Sequence, residues 1–177
     1  MGINKLTPGY EIWHPNREKQ ASKTTRLVIV LLLILSAALM VIVLLGGWSV
    51  LTGGTTWGVI GLLLAALYLL LARMIWKWSR GALTLSTAMS VLLLILFTVG
   101  VSSWFARNKS GFAEPALPVE LVGILMVFLI PVQAALAVVT AIGFNQQWYV
   151  EEERLIGSGG PDGEEGLGDG EPAAAAG

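Results

Sequence analysis

The sequence predicts an all-α integral membrane protein. Its core is four transmembrane helices in an up-down-up-down bundle, with both termini cytoplasmic and a disordered C-terminal tail. Three observations predict this. First, 55% of the 177 residues are hydrophobic and 13% are charged, against about a quarter charged in soluble domains; mean hydropathy is +0.73. Second, the charges crowd between four apolar blocks, at about 27–51, 57–75, 82–105 and 119–144. Third, basic residues and tryptophans gather where those blocks end. A charge-free apolar run of about 18 residues or more reads as a membrane span, whereas a soluble helix needs an apolar stripe on one side only. At ~1.5 Å per residue each block covers roughly the 30 Å hydrocarbon core. The blocks lack the alternation of barrel strands, so helices are the remaining way to satisfy the backbone in lipid.

Residues 1–26 form a basic arm with five basic and two acidic side chains. Near an anionic leaflet each basic residue contributes ~1 kcal/mol of attraction, and Tyr10 and Trp13 are placed to dip into the interface beside them. The first block follows this long polar stretch and is itself 25 residues long. A signal-peptide core is roughly 7–15 residues behind a short basic stretch, so the block is expected to span rather than be cleaved.

The connection "WSVLTGGTTW" leads to the second block, the shortest of the four. The turn "RMIWKWSRG" then joins the second block to the third, and short connections favour antiparallel neighbours in a bundle. "NKSGFAEPALPVE" is longer, and Pro118 suits the first turn of the helix that follows. After the fourth block, "EEERL" has the composition to extend that helix. The region 145–177 carries eight acidic residues and one basic residue. From about residue 157 it is glycine-rich and acidic with few large apolar residues, a composition expected to stay disordered. Such a tail solvates the chain or contacts a basic partner, including the protein's own N-terminal arm.

Lys and Arg near helix ends set topology. With both termini inside, nine basic residues are cytoplasmic and two, Arg107 and Lys109, are external. Tryptophan favours the interface; Trp48, Trp57 and Trp104 mark one side, and Trp76, Trp78 and Trp148 the other. A multi-pass protein of the plasma (inner) membrane is expected. The four-span layout, the Arg73–Lys77–Arg80 turn and the Gly/Ala-rich acidic tail resemble small bacterial inner-membrane proteins in type, without a shared motif.

Inside the blocks the most informative stretch is "FLIPVQAAL", residues 128–136. Pro131 lacks an N–H, which leaves the Val127 carbonyl without its helical partner and predicts a kink near Ile130. Gln133 is costly in lipid and should face the bundle, on a face shared with Met126, Ala137 and Thr140. Counting ~1.5 Å per residue from the cytoplasmic ends, Ser36, Tyr68 and Ser90 lie at about the depth of Gln133. One polar group per helix at one level predicts a buried polar layer. Its neighbours are small: Gly61 and Ala65 beside Tyr68, and the row Ala82, Ser86, Ser90. The layer serves as interhelical glue or, alternatively, as a small polar site.

Function classes narrow accordingly. The chain has no cysteine and one histidine, His14, outside the blocks, so thiolate chemistry is excluded and no metal site is expected. No ionisable residue lies deep in a block, although proton relays and ion-coupled carriers usually need one; Glu120 belongs to the first turn of the fourth helix, where the helix dipole favours it. HExxH, GxSxG and P-loop patterns are missing. The expectation is a non-enzyme without a cofactor, whose partners are the lipid bilayer and a membrane protein or a second copy of the chain, not nucleic acid. An accessory, assembly or scaffold component fits best. The alternative is a small oligomeric transporter or channel for a neutral or apolar solute.

Overall fold

The computed structural model describes residues 10–51, 54–105 and 114–155. The predicted disordered tail, and the loop residues Arg107 and Lys109, lie outside them. The chain divides into two compact units, one built from its two ends (residues 1–15 and 150–177) and one from residues 16–149.

In the smaller unit, strand β1 (Tyr10–Trp13) pairs antiparallel with β2 (Glu152–Leu155), in the register Tyr10↔Leu155 to Trp13↔Glu152. The expected helical continuation through "EEERL" is therefore not what forms: these residues are a strand laid against the N-terminal arm. Tyr10 and Trp13 are likewise strand residues. His14 Nε2 lies 3.5 Å from Glu151 Oε1, a surface pair of small energetic weight.

The larger unit opens with one turn, α1 (Pro15–Glu18), then four long helices: α2 (Gln20–Gly46), α3 (Gly54–Trp76), α4 (Arg80–Phe105) and α5 (Val119–Asn145). All four are long and apolar enough to cross a membrane. Their outward faces carry Leu31, Leu63, Val99, Ile124 and Val138, each more than half exposed. An apolar surface of this extent is a liability in water and the normal condition in lipid.

Helix limits follow local chemistry more than hydropathy. α2 begins seven residues before the apolar block, because "QASKTTR" contains no helix breaker and Ser22 is already buried. It stops at Gly46–Gly47, earlier than the apolar run does, and a 3₁₀ turn follows at Trp48–Val50. The Gly46 carbonyl accepts from Leu117 N–H at 3.0 Å. A Cβ on Gly47 would come within 2.5 Å of the Trp104 ring, so this glycine permits a close approach. Pro118 is the N-cap of α5 rather than a first-turn residue. α5 then runs unbroken through Pro131.

The packing order around the bundle is α3, α2, α5, α4. α4 and α5 pack most extensively, α2 holds both α3 and α5, and of the neighbouring pairs α3 and α4 touch least. The tight turn between α3 and α4 thus joins helices that are close at one end and part towards the other. The end where α3 and α5 finish and α2 and α4 begin is called the basic end below.

Candidate functional site

The four residues placed at one depth by counting along the helices are all fully buried: Ser36, Tyr68, Ser90 and Gln133. They come from four different helices, and hydrogen bonds join three of them, Ser36, Tyr68 and Gln133. Tyr68 donates its hydroxyl proton to Gln133 Oε1 at 2.9 Å. Gln133 Nε2 donates to Ser36 Oγ at 3.1 Å. Ser90 donates to its own helix, to the Ser86 carbonyl, at 2.7 Å. Gln133 is the hub because its amide offers acceptor and donor on one rigid plane. It reaches α3 with the first and α2 with the second.

Pro131 and Gln133 sit two residues apart on opposite sides of α5. Pro131 is exposed, Gln133 wholly enclosed. The proline therefore belongs to the outer surface of the helix and the glutamine to the interior.

The small residues around the layer let the helices approach. Ala65 beside Tyr68, and Ala82 and Ser86 beside Ser90, are buried. Ser86 Oγ is buried without a hydrogen-bond partner. Nearer the basic end, Thr87 donates to Thr140 Oγ1 at 2.8 Å while Thr140 donates to the Leu136 carbonyl at 2.7 Å. Thr140 was legible as a residue on the Gln133 face; its partner Thr87 was not, because nothing in the sequence gives the rotation of α4.

On the other side of the layer lies a cleft of about 270 Å³. It opens between the N-terminal half of α3 (Trp57, Ile60, Leu64) and the C-terminal half of α4 (Leu93, Phe97, Trp104), where the two helices have parted. Met40 of α2 and Met126 of α5 form part of its back wall. Every layer residue lies three or four positions from a cleft residue on its own helix: Ser36 from Met40, Tyr68 from Leu64, Ser90 from Leu93, Gln133 from Leu129. The polar layer therefore lies about one helical turn beneath the cleft, whose lining contains none of its four residues. At ~1.5 Å per residue, Trp104 to Leu93 measures about 16 Å, close to half the ~30 Å hydrocarbon thickness.

Among the described residues no group of three or more His, Asp or Glu side chains is placed to hold a metal. Comparison with protein-family models, with curated proteins and with solved structures finds no match. The function has to be argued from the geometry.

Proposed function

We propose that this chain is a non-catalytic, multi-pass membrane protein that works through protein contacts, as an accessory, assembly or scaffold component. One observation carries the reading: Gln133 directs its acceptor to Tyr68 and its donor to Ser36. A buried glutamine that joins α5 to α3 and to α2 acts as a brace that fixes helix register, at ~0.6 kcal/mol per bond on average and up to ~1.7. Binding surfaces then lie on the outer faces and at the chain ends. The excess of basic residues at one end supports an orientation with both termini cytoplasmic, in the plasma membrane. Purification of the tagged protein from its native membrane in mild detergent tests the reading. A stoichiometric companion is expected; a homogeneous species containing only this chain would sink it.

The cleft favours a second reading, passage or storage of a neutral, apolar solute by an oligomer. The cleft's lining of leucine, methionine and aromatic side chains suits a small or chain-like apolar molecule. Two variants separate the readings. Removal of residues 150–177 leaves the bundle unit intact, including the buried Trp148, and should abolish a contact function. Gln133→Leu alters the polar layer one turn beneath the cleft and should impair a solute function instead.

A further inference from the structure

At the basic end, α3 closes with an arrangement normally built on glycine. Ser79 N–H donates to the Met74 carbonyl at 3.1 Å and Trp78 N–H to the Ile75 carbonyl at 2.9 Å. This is a Schellman closure with Trp78 at the left-handed position, φ 65°, where glycine is usual. A side chain there is strained, so what its ring does is informative. The Trp78 ring lies 4.2 Å from the Arg26 guanidinium carbon and meets Trp148 edge-on at 5.0 Å. The Trp76 ring lies 4.7 Å from the same guanidinium.

Arg26 is thus fixed by two indoles and by one bond, from Nη1 to the Trp76 carbonyl at 3.3 Å. Its Nε is buried and unpartnered. No carboxylate among the described residues pairs with it. Lys23, Arg73, Lys77 and Arg80 near this end are exposed. Arg80 stacks over Tyr149 at 3.8 Å. Within residues 16–149 this end carries seven basic side chains and one acidic, Glu18.

We propose that the basic end binds the phosphate of an anionic phospholipid, with Arg26 as the fixed anchor. The guanidinium fork matches a phosphate bidentately. Held by indoles, it has already lost the rotamer freedom that binding would otherwise cost. Tryptophan rings favour headgroup depth, which is where leaflet phosphates lie, and the exposed Leu27 and Leu31 of α2 and Leu70 and Met74 of α3 offer an apolar face to the acyl chains. That apolar face favours a lipid over free phosphate. Lys23 and Lys77 add attraction, about fivefold in affinity for each basic residue near an anionic surface.

The test uses the full chain in mild detergent, offered phosphatidylglycerol or phosphatidylcholine, with retained lipid counted by native mass spectrometry. Phosphatidylglycerol should be retained in preference. Arg26→Gln should reduce that retention at least fivefold. Because Arg26 also caps α3, a second variant, Lys23→Gln with Lys77→Gln, changes only exposed positions and should reduce retention about fivefold per residue. Equal retention of the two lipids overturns the proposal, as does wild-type retention in either variant. Displacement of the lipid by an equal concentration of inorganic phosphate overturns it too, since the site would then belong to the free anion.

Discussion

Gln133→Leu is the sharpest perturbation of the interior. It removes the acceptor of the Tyr68 hydroxyl and the donor to Ser36 while roughly conserving volume. At the average interhelical value of ~0.6 kcal/mol, two lost bonds cost about 1.2 kcal/mol. A buried hydroxyl left without its acceptor adds about 1–3 kcal/mol. A net loss of about 2–4 kcal/mol is expected. The decisive comparison is the cycle with Tyr68→Phe. That change alone leaves the Gln133 carbonyl oxygen unpaired, whereas replacing both partners by apolar groups of similar shape is close to neutral. The double variant should therefore be no less stable than Gln133→Leu alone. Reversible unfolding in mixed micelles, followed by the circular dichroism of the helices, reads all four corners. Strict additivity would show that Tyr68 and Gln133 are not coupled, and would refute the brace.

Trp78→Ala should be less stable than Trp78→Gly by about 1 kcal/mol, because both lose the ring and only glycine relieves the left-handed backbone; thermal unfolding decides between them. Gly47→Ala places a methyl within 2.5 Å of the Trp104 ring and should cost about 1–3 kcal/mol by overpacking, read in the same assay. The chain has no cysteine, so single cysteines at Thr55 and Ser79 can be labelled with an impermeant reagent. Labelling from outside the cell is expected at 55 and not at 79, and the opposite pattern overturns the orientation.

The four spans were legible because lipid demands one simple property, unbroken apolarity over a fixed length, and sequence records it directly. Depth was legible for the same reason: a constant rise per residue puts Ser36, Tyr68, Ser90 and Gln133 at one level before any packing is known. Rotation was not legible. The moment of an all-apolar helix is weak, so the partnership of Thr87 with Thr140 and the separation of Pro131 from Gln133 onto opposite faces emerge only from tertiary structure. The helical propensity of "EEERL" predicts a helix where the strand Glu152–Leu155 forms; pairing with Tyr10–Trp13 overrides it, and propensity carries no information about a partner some 140 residues away. The left-handed Trp78 was hidden for a related reason, since tryptophan at a helix C′ position contradicts the glycine rule by which such closures are recognised.

The cleft follows from where the small residues went. Gly61 faces Leu44 of α2 so closely that a Cβ would lie 2.7 Å from it, and Ala65 and Ala72 of α3 are buried; this face of α3 is committed to α2. The row Ala82, Ser86, Ser90 of α4 is buried, and α4 packs most against α5. The sides of α3 and α4 that turn towards each other beyond the layer are left with Leu64, Leu93 and Phe97, which hold backbones apart. A tight turn at residues 77–79 pins the two helices together at one end while bulk separates them at the other, and a wedge is the result. Enlarging the wedge walls does not close it, whereas exchanging bulk for small residues on both helices should. The paired substitution Leu64→Ala with Phe97→Ala is thus expected to draw α3 towards α4 and shorten the distance between spin labels at Thr55 and Ser103. An unchanged or longer distance would mean that the splay is set by the turn and not by the side chains.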